Sequence, residues 1–282
     1  MWEKKQIETV RGEFEIFTAG SEEPLCVTHL YSEFNERGYY FADPFVDSFT
    51  VYLVNMKEAG NSSRAEHNEE LSMRETAKDL EAIRMALGFD TWSFAGHSTG
   101  GMLGLVYAAD HTHSLKRLMV GGAAASNKYM NHKDSIYSQK NPENKRLKDI
   151  FSILNSPHAA IEEIRLASRE WTEMSLHDPS RFEAYFTKPS SGKVVPKRLD
   201  YYSYKELPRY DIRHDITQIK TPTLVYCGTY DAQCPLPFSE EIHKLIPGSS
   251  FYEFEASNHL PHLEEKNEFK KMIGDFTGLG SK

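Results

Sequence analysis

Only three cysteines occur in the 282 residues, at positions 26, 227 and 234. The count is odd and the spacing lacks the close pairs of a structural zinc site, so a disulfide framework is excluded and the thiols read as reduced. Histidine is plentiful, but no His-Glu-x-x-His run occurs, and His111 and His113 lie two apart, poor spacing for one helix face; no metal site is expected. Long apolar runs are missing too: none approaches the ~18 residues of a membrane span. The first residues, Met1-Trp2-Glu3-Lys4-Lys5-Gln6, carry no apolar leader, and a cytoplasmic location with no membrane partner is the expectation. A basic run is absent and the formal net charge is −8, which excludes the electrostatic footprint of a nucleic-acid or anionic-lipid binder. Nor is there an internal repeat, a low-complexity tract or a Pro/Gly/Ser-rich linker.

What is present is an ordinary globular composition, 39% hydrophobic and 26% charged, with 16 Phe and 15 Tyr. The length suits one large α/β core carrying an inserted subdomain. Alternating runs at 6–10 and 13–18 flank Gly12 and predict an opening hairpin, followed by buried strands at 24–30 and 50–55. From Ser72 the period changes to helical. Ser72 and Glu75 make a capping box, Thr76, Leu80, Ile83 and Leu87 recur on one face, and Gly88 supplies the stop. A strand at 91–95, a helix at 102–109 and a strand at 115–121 complete a βαβαβ alternation, which implies a parallel sheet covered on both faces.

The alternation lapses between about Ala125 and Arg213. One helix is expected there, capped by Ser156 with Pro157 at its first position and a stripe of Ala160, Ile164, Ala167, Trp171 and Met174. Strands are expected again at 223–227 and 250–254, with a helix at 239–245 between them and a last helix at about 264–276. The division that follows is a core of residues 1–125 and 214–282, with a helical cap at 126–213.

Gly96-His97-Ser98-Thr99-Gly100 falls between a predicted strand and a predicted helix, the context in which a strained turn pushes a serine hydroxyl into the open. An exposed hydroxyl is still a weak nucleophile and needs a base, itself held by a third group. Asp231 lies in the loop after the strand at 223–227, and His259 in the loop before the last helix. That places a carboxylate and an imidazole at the carboxyl edge of the sheet, in the chain order Ser, Asp, His. His262 is the alternative to His259, while Asp211 and Asp215 read as solvated charges closing the insertion.

These segments together resemble the α/β-hydrolase superfamily over nearly the whole chain. The Gly-His-Ser-x-Gly-Gly elbow, complete through Gly101, is similar to those of proline iminopeptidase-like and meta-cleavage-product-hydrolase-like enzymes. The resemblance implies the α/β-hydrolase fold, a mostly parallel eight-stranded sheet with an inserted helical cap, and a Ser98-His259-Asp231 triad working through an acyl-enzyme without a cofactor. It also implies an oxyanion hole built from the backbone amides of Tyr31 and Thr99, with Leu30 as the alternative to Tyr31. The loop Thr28-His29-Leu30-Tyr31 departs from the His-Gly pair usual there and lacks the His-Gly-Gly-Pro-Gly run of typical proline iminopeptidases. Serine at the elbow argues against dehalogenase or epoxide-hydrolase chemistry. His29 and His97 are expected to pack around the elbow, and Trp171, Met174, Tyr129 and Tyr137 either to line a pocket or to serve as core.

The substrate is then a small molecule or a short peptide. An esterase or related acyl hydrolase is the first expectation. A proline iminopeptidase is the second, with Glu162, Glu163, Glu170 and Glu173 as candidates to bind a free amino terminus. A low-turnover ligand receptor on the same fold is the third, and oligomeric state is left open.

Overall fold

In the computed structural model, which describes residues 2–280, the chain opens on an antiparallel hairpin of β1 (Glu3–Thr9) and β2 (Gly12–Ala19), turning at Gly12 with φ +125°. There follow β3 (Pro24–Val27), the short β4 (Ser32–Glu33), β5 (Thr50–Val54), β6 (Trp92–His97) and β7 (Leu115–Gly121). After the insertion, whose only strand is β8 (Lys193–Val194), come β9 (Thr223–Gly228) and β10 (Ser250–Phe254). Eight of these strands form one sheet in the order β1-β2-β5-β3-β6-β7-β9-β10. The β1-β2 and β2-β5 pairings are antiparallel and the remainder parallel, so the sheet is mostly parallel, as expected.

Side chains alternate between two apolar layers along each central strand. Cys26, Phe94, Leu118, Val120 and Val225 join α1 (Met73–Ala86) and α2 (Thr99–Asp110) in one layer. Leu25, Val27, Ala95, Met119, Leu224 and Tyr226 face the other, with Phe269, Met272, Ile273 and Phe276. Helix α1 begins as the sequence predicts, the Ser72 hydroxyl accepting from the Glu75 amide at 3.3 Å, and the chain turns away at Gly88 with φ +76°.

Several boundaries differ from expectation, and three of them bear on the site. Strand β3 stops at Val27 rather than reaching Leu30, because the Thr28 hydroxyl donates to the Val54 carbonyl at 2.7 Å and the chain leaves the sheet. Helix α2 starts at Thr99 rather than Met102, so Ser98 alone makes the turn from β6. The last helix is broken into α8 (Pro261–Glu264) and α9 (Lys266–Gly278), with Glu265 between them at φ −122°, ψ 54°; α7 (Leu236–Leu245) precedes β10.

Residues 122–222 carry α3 (Asn144–Leu154), α4 (Ile161–Glu173), α5 (Phe182–Tyr185) and α6 (Pro196–Tyr201). The two ends of this segment meet at an antiparallel bridge between Ser126 and Asp211. Helix α3 was not foreseen, and Ser156 does not cap α4. The Ser156 hydroxyl instead accepts from the His158 amide at 3.2 Å, closing a local turn, and α4 starts after Ala160, whose amide donates to Glu163 at 2.7 Å. Among the described residues no helix is long and apolar enough to cross a membrane.

Candidate active site

Strand β6 is buried along its whole length, and the chain reverses into α2 through one residue. Ser98 holds φ 56°, ψ −127°, a left-handed conformation that costs a non-glycine residue roughly 1–3 kcal/mol. Hydrogen bonds offset the cost: the Ser98 amide donates to Gly121 O at 2.8 Å and the Met102 amide to Ser98 O at 3.0 Å. The flanking glycines are steric requirements. A Cβ at Gly96 would sit 2.2 Å from Gly100 O, one at Gly100 2.6 Å from Thr28 O, and one at Gly101 3.0 Å from Ala123 Cβ. Ser98 is thereby left partly exposed between two buried neighbours.

Asp231 and His259 are brought together although 28 residues apart, with Nδ1 and Oδ2 at 2.8 Å and both side chains buried. The other oxygen, Oδ1, accepts from the amides of Gln233 at 2.9 Å and Cys234 at 2.8 Å. A carboxylate so surrounded by donors can only accept, which assigns a proton to Nδ1; in the neutral imidazole the lone pair then lies on Nε2. No hydrogen bond links the Ser98 hydroxyl to His259 Nε2 in this structure. The two halves of the site nevertheless share one turn: beside Gly121, which receives the Ser98 amide, a Cβ at Gly122 would lie 3.1 Å from both Asp231 Oδ2 and His259 Cε1. Catalytic hydrogen bonds are often long in the ligand-free state and tighten around substrate.

The loop after β3 faces the start of α2. His29 joins them, its Nδ1 at 2.9 Å from the Ser32 hydroxyl and its Nε2 at 2.9 Å from the Thr99 hydroxyl. Desolvation of the ring, with His259 and Arg198 nearby, lowers its pKa to about 3, so it serves as a neutral strut. The amides of Leu30, Tyr31 and Thr99 donate to no other described group. His97 Nδ1 lies 2.9 Å from the Tyr226 hydroxyl, and burial holds its pKa well below the usual value. His262 is buried against Phe41 and Phe269, makes no bond to Asp231, and is pulled down to about 3 by burial.

Sequence reasoning missed several residues that hold this arrangement. Gly122, at φ +52°, is one, since any side chain there would strike His97 as well as the Asp231–His259 pair. Asn258 is another: its Oδ1 accepts from the Ala232 amide at 2.8 Å, and its Nδ2 donates to Met174 O and Leu176 O, both at 3.3 Å. Ser175 accepts the His259 amide at 3.1 Å. Only the adjacency of Asn258 to His259 hinted at any of this, because the partners come from distant segments.

Of the pocket candidates, Tyr129 is buried and Tyr137, Trp171 and Met174 are half-buried. The Tyr129 hydroxyl lies 3.2 Å from that of Tyr202, and the Tyr137 hydroxyl donates to Gln233 at 2.7 Å. The four glutamates considered for an amino terminus have other partners: Glu162 pairs with Arg165, Glu170 with Arg146, Glu173 with Arg169, and Glu163 caps α4. Asp211 and Asp215 pair with Arg213 and Arg74. Among the described residues no cluster of three or more His, Cys, Asp or Glu could hold a metal ion.

A family model described as the alpha/beta hydrolase fold matches residues 30–266. An alpha/beta fold family hydrolase from Bacillus anthracis str. Sterne superimposes with a TM-score of 0.96 at 48% identity, covering 98% of this chain and 99% of that one. A proline iminopeptidase of Saccharolobus solfataricus is 24% identical over 246 residues, 80% of this chain and 75% of that protein. The meta-cleavage product hydrolase CumD of Pseudomonas fluorescens IP01 has the same fold, with a TM-score of 0.71 at 18% identity and 97% of each chain covered.

Proposed function

The chain belongs to the α/β-hydrolase family and is a hydrolase, and from that premise we propose that it cleaves a small-molecule carboxylic ester or related acyl bond through Ser98, His259 and Asp231. The observation that carries the reading is the 2.8 Å bond between Asp231 Oδ2 and His259 Nδ1, beside Gly122, while the preceding Gly121 receives the amide of Ser98 on its strained elbow. His259 Nε2 takes the proton as Ser98 Oγ attacks the carbonyl, and the amides of Thr99 and of Tyr31 or Leu30 receive the developing oxyanion. The leaving group departs with that proton, and water, activated in turn by His259, hydrolyses the acyl-enzyme. Residues 126–213 form a cap over this edge on the same reading, and substrate enters beneath it.

Proline iminopeptidase activity is the second reading, supported by the 24% identical relatives. Glu162, Glu170 and Glu173 face arginines and Glu163 caps α4, so an ammonium group binding there would have to displace one of these partners. Turnover of short p-nitrophenyl esters, abolished in Ser98→Ala, with a fluorophosphonate adduct mapped to Ser98, is the expected result. Undiminished turnover in Ser98→Ala overturns the mechanism, and release of N-terminal proline from dipeptides in the absence of ester turnover transfers the assignment to the second reading.

A further inference from the structure

Arg198, at the third position of α6, is a guanidinium buried to 1% exposure. Among the described residues it makes no ion pair within 4.0 Å. All three of its arms end on neutral groups: Nε donates to Leu30 O, Nη1 to Lys57 O at 3.2 Å, and Nη2 to the Thr76 hydroxyl at 2.8 Å. Its charge is balanced only at a distance, by Asp79, Glu206 and Glu58. Burying a cation without a contacting carboxylate is costly, and a neutral side chain of similar volume could fill the space. The position of the Nε contact suggests what retains the charge.

Leu30 O and the Tyr31 amide belong to one peptide group. A cation bound to the carbonyl end draws electron density along the conjugated C–N bond and makes the N–H at the other end a stronger donor, as in any polarised hydrogen-bond chain. The same bond fixes the peptide plane and so the direction of that N–H, and Tyr31 O is held from the other side by the Val195 amide at 2.8 Å. We infer that Arg198 is a positioning residue for the oxyanion hole, aiming and polarising the Tyr31 amide through Leu30 O. The inference rests on the proposed serine-hydrolase reading and selects Tyr31 over Leu30 as the loop donor, because the Leu30 amide belongs to the preceding peptide.

The oxyanion forms only in the transition state, so loss of this polarisation lowers kcat and leaves KM nearly unchanged. Arg198→Met is expected to lower kcat per titrated active site by about tenfold or more. Arg198→Lys, which keeps the charge but one arm at most, recovers part of it. The affinity of a trifluoromethyl ketone, which forms the tetrahedral oxyanion on Ser98, should fall in parallel, while the affinity for the carboxylic acid product does not. A merely structural role for Arg198 would lower the fraction of titratable sites or raise KM, and would leave kcat per site alone; that pattern overturns the inference. Where neither arginine variant folds, Thr76→Val decides, since it removes only the acceptor of Nη2: a KM-neutral fall in kcat supports the inference and wild-type kinetics overturns it. The parent reading is judged separately, with Arg198 in place, by loss of turnover in Ser98→Ala; a downfield shift of the ¹⁵N-tyrosine-labelled Tyr31 amide when the ketone binds the wild-type enzyme supports Tyr31 as the donor.

Discussion

The main-chain amide of His259 donates to the carbonyl of Ser175 at 3.1 Å, so the loop bearing the proposed base is held by the segment just beyond α4. Asn258 reaches the same segment through Met174 O and Leu176 O, and Glu264 accepts from the amides of both Asn258 and His177. Four contacts thus fasten the histidine loop to the inserted region, and none involves the reacting atoms. From this arrangement and the proposed mechanism four expectations follow.

Asp231→Asn keeps an oxygen for the Gln233 and Cys234 amides but can present an amide N–H to His259 Nδ1, favouring the tautomer with the proton on Nε2. Ester kcat is expected to fall by about 10⁴, with the thermal midpoint little changed. Steady-state kinetics beside a melting curve checks it, and a loss below about tenfold contradicts the role given to Asp231.

Gly122→Ala places a methyl 2.7 Å from His97 Cε1 and 3.1 Å from Asp231 Oδ2, at a φ of +52° that costs alanine roughly 1–2 kcal/mol. The Asp231–His259 pair must shift to admit it. The expected outcome is a folded, mildly destabilised protein with kcat reduced by about 10². A crystal structure of the variant with the pair undisturbed, together with full activity, refutes the expectation.

Burial sets an acid limit on stability. His97 and His262 have folded pKa values below the ordinary 6.5, His262 at about 3, so between these limits the unfolded chain binds more protons than the folded one. Their contribution is complete above pH 6.5 and declines as the pH falls, each at up to about 1.4 kcal/mol per pH unit. Urea unfolding at pH 7, 6 and 5 measures the slope. His262→Phe, packed among Phe41, Phe269 and His97, should flatten it, and an unchanged slope assigns the acid sensitivity elsewhere.

Cys26, Cys227 and Cys234 are buried, and burial raises all three thiols well above the ordinary value. Thiolate is the reactive form, so a disulfide reagent such as dithionitrobenzoate should titrate none in the native protein and three on unfolding. Rapid native reaction at any of them would reveal an opening of the core or of the Asp231 loop, where Cys227 Sγ lies 3.7 Å from Oδ2.

Much of the fold was legible in order along the chain. Strands β7 and β10 occupy the residues their apolar runs mark, and α1 begins at its Ser72 cap, because burial pattern and capping are local signals. Helix α3 escaped notice because Asn144, Leu147 and Ile150 are its only buried residues, too weak a stripe to stand out among charges. Ser156 misled in the opposite way, since a serine before a proline makes a local turn as readily as a helix cap.

Ser98, Asp231 and His259 could be proposed from the sequence because each lies beside a local marker: glycines that the elbow requires, and loops that follow recognisable strands. The tertiary structure alone decided that His259 takes its orientation from Asp231 on one side and Ser175 on the other, and that a guanidinium 168 residues away rests on Leu30 O. Periodicity and capping depend on neighbours within a few residues, whereas hydrogen-bond geometry between distant segments depends on how the whole sheet and its insertion pack.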